Sequence, residues 1–238
     1  MKRASVFLCL LISVVLVSSA FGFGGPPPEK RDKKAVETGV FLIDDFESGS
    51  LRSPREWWTF DIQQAEAASN QALTAGDQDV AGTVGRYSLL LKGPATNWYA
   101  GGCGTYIARE AQDLSEYDSF VLDIYGNGEG SGRIKIELFD DDNNNWQVEQ
   151  DPARNYAPIH DDKLVYDVPV DWRGWQRVSI PLDDFVDDNP GVGDDIWNPQ
   201  QRNGSGGLLQ VQFVCIASTD TGIVNFNADN VSLSVSED

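Results

Sequence analysis

The sequence predicts an all-β domain, a sandwich or a barrel. Two observations carry this. Short apolar or alternating runs follow one another from about residue 40 to residue 235, each closed by Gly, Pro, Asn or Asp, and helical periodicity is confined to brief pieces.

The elements are taken in chain order. Val40–Ile43 is an apolar run, and Tyr87–Leu91 another, stopped by Gly93-Pro94. Ser119–Tyr125 ends at Gly126-Asn127-Gly128. Arg133–Leu138 alternates, with Ile134, Ile136 and Leu138 on one side. Asp140–Asn145 is expected to be a solvated polar turn from which Trp146–Glu149 returns. Trp175–Ile180 alternates again, and Gly207–Cys215 is a long strand. Gly222–Phe226 and Asn230–Val235 are expected as two closing strands. Gln63–Ala68 and Pro181–Phe185 are the pieces with helical character.

Ahead of this domain, Lys2 and Arg3, the apolar run Val6–Val17 and the small residues Ser18-Ser19-Ala20 have the order of a secretory signal peptide, assigned to residues 1–20. Residues 21–38 are rich in Gly, Pro and charge and read as a linker that cannot bury a core, and residues 39–236 form the domain. The expected location is secreted or periplasmic, with no membrane insertion after signal cleavage.

The formal net charge of −19 disfavours contact with phosphate backbones and anionic lipid, so nucleic acid is excluded as a partner. Neutral sugars, divalent cations and another protein stay open. Beyond the signal peptide, Cys103 and Cys215 could form one disulfide or serve as two buried thiols.

Catalytic arrangements are poorly supplied. His160 is the one histidine, no G-x-S-x-G elbow occurs, and the histidine and cysteines form no zinc-ligand spacing. Glu149-Gln150-Asp151 opens like the E-x-D-x-x-E strand of some β-sandwich glycosidases, but Pro152 follows and Arg154 occupies the place of the last Glu. The domain is therefore expected not to be an enzyme. A calcium ion is a better case. Asp45 and Glu47 follow the first strand and Asp229 precedes the last, so neighbouring first and last strands would let these oxygens converge.

The chain carries 7 Trp and 7 Tyr, a supply suited to stacking on the C–H faces of sugars. Trp98 and Tyr99, at a loop–strand junction before Ala100-Gly101-Gly102, are the better surface candidates, while Trp57-Trp58 can be assigned either way. Strand parity adds polar candidates. With Ile134, Ile136, Leu122, Ile124, Val211 and Phe213 inward, one outer sheet face is expected to carry Asp123, Tyr125, Arg133, Lys135, Glu137, Gln210 and Gln212.

Four motifs then stand in order: Ile43-Asp44-Asp45-Phe46-Glu47, Leu114–Phe120, Gly174-Trp175-Gln176-Arg177-Val178-Ser179-Ile180-Pro181-Leu182-Asp183-Asp184-Phe185, and Ala228-Asp229-Asn230-Val231. Together they resemble the galactose-binding-like jelly rolls of the family 11 carbohydrate-binding modules and the related complex I intermediate-associated proteins, over roughly residues 40–235. The resemblance implies a jelly-roll β-sandwich of two antiparallel sheets, a carbohydrate groove on a concave sheet face, and a structural calcium. By position, Glu47, Asp229 and Asp45 match the acidic residues near the first and last strands, and Trp175 matches a core tryptophan. Modules of this kind often accompany a catalytic domain, and none is expected in this sequence, which speaks against a role in polysaccharide degradation. The alternative function is an assembly factor binding another protein on the same fold, and a glycosidase is a third.

Overall fold

The computed structural model describes residues 39–70, 80, 83–107, 113–154, 156–198 and 207–235; the expected signal peptide and linker lie outside them. The strands are β1 (Val40–Asp44), β2 (Trp57–Phe60), β3 (Gln64–Ser69), β4 (Tyr87–Pro94), β5 (Tyr99–Tyr106), β6 (Ser119–Asn127), β7 (Arg133–Asp141), β8 (Gln150–Asp151), β9 (Ala157–Pro158), β10 (Asp162–Pro169), β11 (Arg173–Pro181), β12 (Val186–Asp187), β13 (Gly207–Ile216) and β14 (Ile223–Ser234).

Two six-stranded sheets hold nearly all of them. The first has the order β11-β6-β14-β4-β3 with β1 also on β14, and the second has the order β12-β10-β7-β13-β5-β2. Every pairing within them is antiparallel. The fold is the expected all-β jelly-roll sandwich.

Alternation builds the core. Phe120, Leu122 and Ile124 of β6 and Phe226, Ala228, Val231 and Leu233 of β14 face Ile134, Ile136 and Leu138 of β7 and Val211, Phe213 and Cys215 of β13 in one buried cluster. Removing each such large side chain from water contributes about 2 kcal/mol. Cys103 joins them, and both cysteines are free buried thiols. Burial pushes the Cys215 thiol up to about 12, and Cys103 also well above its ordinary value. They pack as small hydrophobes, so the disulfide alternative is not the one realised.

Three local expectations change. The segment expected to be helical from Gln63 contains β3, because its alanines alternate against β4, Ala65 opposite Leu91 and Ala67 opposite Leu89. Pro181–Phe185 shrinks to a single 3-10 turn at Leu182–Asp184. The two closing strands are one, β14, which pairs with β4 through Ala228 and with β1 from Val231. A bulge at Asp229–Asn230, where Asn230 has φ +48°, makes the change of neighbour and keeps Ala228 and Val231 both inward.

A candidate binding cleft on the outer face of one sheet

The second sheet turns one face to the core and the other to a cleft of about 1090 Å3. Arg133, Lys135, Glu137 and Phe139 of β7 alternate with the core residues of that strand and reach the cleft, as do Gln212, Val214 and Ile216 of β13 and Lys163 of β10. Aromatic rings close it. Trp58 and Phe60 come from β2, Trp98 and Tyr99 from the turn into β5, and Tyr156 from the segment between β8 and β9.

The placing of Trp58 and Phe60 depends on the glycines of β5. Trp58 is opposite Gly104 and Phe60 opposite Gly102 in the ladder. A Cβ on Gly104 would lie 2.6 Å from the Trp58 ring, and one on Gly102 2.6 Å from the Phe60 ring. Bare backbone on β5 is what lets both rings lie over the strand. Trp58 also tilts against Tyr106, with ring centroids 5.0 Å apart.

Trp98 is presented differently. It has φ +73°, beside Asn97 at φ +53°. Its N–H donates to the Asp220 carbonyl at 3.1 Å, and its carbonyl accepts the Ala217 N–H at 2.8 Å. The backbone is thus fixed while the side chain stands 49% exposed. Asn97 and Trp98 are the two central residues of a tight turn closed by the Thr96 N–H on the Tyr99 carbonyl at 2.8 Å, a turn that needs positive φ at both and that presents the indole away from the core.

The polar floor is already organised. Gln212 donates Nε2–H to Glu137 Oε2 at 2.8 Å, and Lys163 Nζ lies 3.9 Å from Glu137 Oε1 and 2.7 Å from Asp188 Oδ2. Lys135 Nζ is 3.7 Å from the same Asp188 oxygen, and Tyr99 donates its hydroxyl to Asp61 at 2.9 Å. Burial, followed by the Asp61 carboxylate, holds the Tyr99 phenol well above its ordinary value, so it acts as a neutral donor. Burial also raises Glu137, against the lowering effect of Lys163 and Lys135.

Of the sequence candidates, Trp98, Tyr99, Arg133, Lys135, Glu137 and Gln212 come together here. Gln210 shares their parity but is 4% exposed and donates to Gln212 Oε1 at 3.2 Å, behind the lining.

Asp123 and Tyr125 do not belong to this face, which corrects the expectation. Parity sorts inward from outward residues but cannot say which sheet a strand joins, and β6 is in the first sheet. Asp123 is fully buried on that sheet's outer side, held by Arg177 at 2.8 and 2.9 Å and by Asn230 Nδ2–H at 2.8 Å. Tyr125 packs edge-on against Trp175, with Val80, in a separate small cluster. Trp175 is buried there as expected of a packed residue, though outside the main core.

Of the undecided pair, Trp57 is buried in the core and Trp58 lines the cleft, while Phe60, Asp61, Tyr156, Lys163 and Asp188 line it without having been singled out. The alternation of Leu164, Tyr166 and Val168 would have revealed β10, and with it Lys163. Tyr156 and Asp188 lie in irregular segments that periodicity does not reach.

The expected calcium ligands lie around the partner switch of β14. Asp229 is fully buried; its Oδ1 accepts the Asn230 N–H at 2.8 Å, and its Oδ2 has no donor. Burial, then the charges of Asp123, Glu47 and Asp45, push it up to about 8. An orphaned buried oxygen beside further acids fits a hard cation. Glu47 is less free, since its Oε1 accepts the N–H groups of Arg86 at 2.6 Å and Tyr87 at 2.9 Å. Asp44, one residue earlier, is structural: its oxygens accept the Phe46 N–H and the Trp57 indole N–H, both at 2.9 Å.

Among the described residues, the acids whose oxygens come closest to a metal-ligating arrangement are elsewhere. Asp140, Asp142 and Asp162 each bring an oxygen within 4.8 Å of the others. The solvated turn expected at Asp140–Asn145 is realised only in its second half: Asn143 and Asn144 are exposed, but Asp140 and Asp141 end β7 and are fully buried. Desolvation, reinforced by neighbouring acids, raises Asp140 to about 8, Asp142 to about 6, and Asp161 and Asp162 to about 7.

No family model matches the chain, and no curated protein matches it. Its structural neighbours are carbohydrate-binding modules. A family 11 module from Clostridium thermocellum in complex with a β-1,3-1,4-mixed-linked tetrasaccharide has 19% identity and a TM-score of 0.47, covering 82% of this chain and 95% of that one. The family 11 module of a cellulosomal cellulase of the same organism has 17% identity and a TM-score of 0.45, covering 83% and 95%. A xylan-binding domain of family 22 has 16% identity and a TM-score of 0.41, covering 84% and 96%. No helix among the described residues is long and apolar enough to cross a membrane.

Proposed function

We propose that the protein is an exported, non-catalytic carbohydrate-binding module that holds an oligo- or polysaccharide in the cleft of the second sheet. One observation carries this: Trp58, Phe60, Trp98, Tyr99 and Tyr156 converge on one cleft whose floor is a mixture of amide, ammonium, guanidinium and carboxylate groups. Sugar rings present C–H faces that stack on aromatic rings, and hydroxyls that both donate and accept, which suits such a floor. The non-catalytic part is supported by the engagement of the acids that line the cleft. Glu137 and Asp188 are held by lysines, and Asp61 by Tyr99. Export rests on the order of charged, apolar and small residues at the start of the sequence.

A structural calcium at Asp229, with Asp45 and Glu47 beside it, is part of the same proposal and is supported by the orphaned Asp229 Oδ2.

The test is affinity electrophoresis of the chain through gels containing soluble glucans, xylans and mannans, with a glycan array alongside. Retardation on at least one polysaccharide, lost on substitution of Trp98, is expected. Free migration through all of them, with a protein co-purifying in fixed ratio, would replace this function with an assembly role. Release of reducing sugar abolished by substitution of one cleft carboxylate would establish an enzyme instead.

A further inference from the structure

We infer that Asp140, Asp142 and Asp162 form a binding site for a hard divalent cation, calcium in an exported setting, where β7 leaves the second sheet and β10 enters it. The site is distinct from the Asp45, Glu47 and Asp229 position and does not depend on carbohydrate binding.

The hydrogen bonds leave one oxygen of each carboxylate for a cation. Each carboxylate has one oxygen fixed by a backbone N–H: Asp140 Oδ2 accepts from Asn198 at 2.9 Å, Asp142 Oδ2 from Asp162 at 2.9 Å, and Asp162 Oδ2 from Ile196 at 3.1 Å. The other oxygen of each, Oδ1, is buried and receives nothing. Asp140 is fully buried and Asp162 is 2% exposed, so bulk solvent does not reach them. Asn198, tied to Asp140 by its own N–H, carries a further buried, unpartnered Oδ1. Buried polar groups are ordinarily satisfied, and a set of orphaned acceptors drawn together lacks a positive charge. None of the ion pairs among the described residues reaches these aspartates.

The donors decide the class of ion. All are oxygen, which suits calcium or magnesium and offers nothing to softer metals. The backbone at Gly193 closes one side of the group. With φ +78°, it comes so near that a Cβ there would stand 2.2 Å from an oxygen of both Asp142 and Asp162. The space beside the carboxylates is therefore too small for a side chain. The competing way to neutralise the cluster is for the carboxylates to share protons, and the experiment separates the two.

The chain is stripped with a chelator and titrated with calcium at pH 7.5, while bound equivalents and the melting temperature are followed. Wild type is expected to bind calcium and to melt higher with it, because an ion held only by the native state stabilises that state. Asp142→Asn, at the more accessible ligand, is expected to weaken one equivalent by 10-fold or more. It should melt at or above wild type in chelator, where a repulsive charge has gone, and below wild type in calcium. This crossing distinguishes lost binding from poor folding. Asp140→Asn should lose the same equivalent, and Asp229→Asn should keep it. Asp142→Asn binding calcium with wild-type stoichiometry and affinity would overturn the site. So would a wild-type chain that binds no equivalent absent from Asp142→Asn, which leaves shared protons as the neutralising device.

Discussion

The indole of Trp58 lies over Gly104, its partner in the adjacent strand, with no room between them for a methyl group. This contact joins an internal strand to the aromatic wall of the cleft. Gly104→Ala is expected to displace the ring and weaken glycan binding about 10-fold, the scale of losing one well-placed aromatic anchor. Overpacking should also lower stability by about 1–3 kcal/mol. In Trp58→Ala, the same glycine substitution should cost less, because the ring is gone and only the Val211 carbonyl, 3.1 Å from the added Cβ, still crowds it. A double-mutant cycle from urea melts measures that coupling. Equal costs in both backgrounds would mean that the ring does not depend on the glycine.

Trp98 supplies a cleaner binding test. Its backbone is held by Ala217 and Asp220, and its exposed side chain contributes little to the core. Trp98→Ala is expected to leave the melting temperature nearly unchanged and to reduce retardation in polysaccharide gels about 10-fold or more. Unaltered retardation would move the stacking surface to Trp58, Phe60 and Tyr156.

The strands with apolar alternation, such as β7, β11 and β13, were legible in the sequence because a period of two is the signature of a half-buried strand. β5 was not, since Tyr99-Ala100-Gly101-Gly102-Cys103-Gly104 has weak β propensity and takes its place by pairing with β13 and β2. Six of the cleft residues followed from parity and exposure. Asp123 failed for a topological reason: β6 and β7 are consecutive and alternate alike, yet the chain crosses from one sheet to the other between them. The burial of Asp140 and Asp141 was hidden too, because a run of acids and asparagines has the composition of a solvated loop and only the tertiary fold closes the 193–198 segment over it.

Asp123 makes a contrasting prediction on the first sheet. It is fully buried and receives two hydrogen bonds from Arg177, whose own side chain is 45% exposed. Arg177→Met would leave a buried carboxylate without its cation, at a cost of about 3 kcal/mol. Glycan affinity should be unchanged at a temperature where the variant is folded, because the cleft is on the other sheet. A binding defect in folded Arg177→Met would return Asp123 to the ligand site.

Glu137 links the cleft to pH. Burial raises its pKa above the ordinary carboxylate value near 4.5; Lys163, Lys135 and the Gln212 amide oppose the rise, and Asp188 adds to it. The folded state therefore binds the proton more tightly than the unfolded chain does. The resulting stability is fully present below about pH 4.5 and is lost as pH rises through the folded-state pKa. Glu137→Gln resembles the protonated form at every pH and does not suffer that loss. The variant is expected to be more stable than wild type at pH 8, and the gap should close as pH falls toward 4.5. Urea melts of both proteins at pH 5, 6.5 and 8 would measure it. A gap that widened as pH fell would mean that the lysines hold Glu137 ionised and that the carboxylate is a stabilising ion-pair partner. Lys163 and Lys135 would then act chiefly on Glu137 and Asp188, with less of their charge available to a ligand.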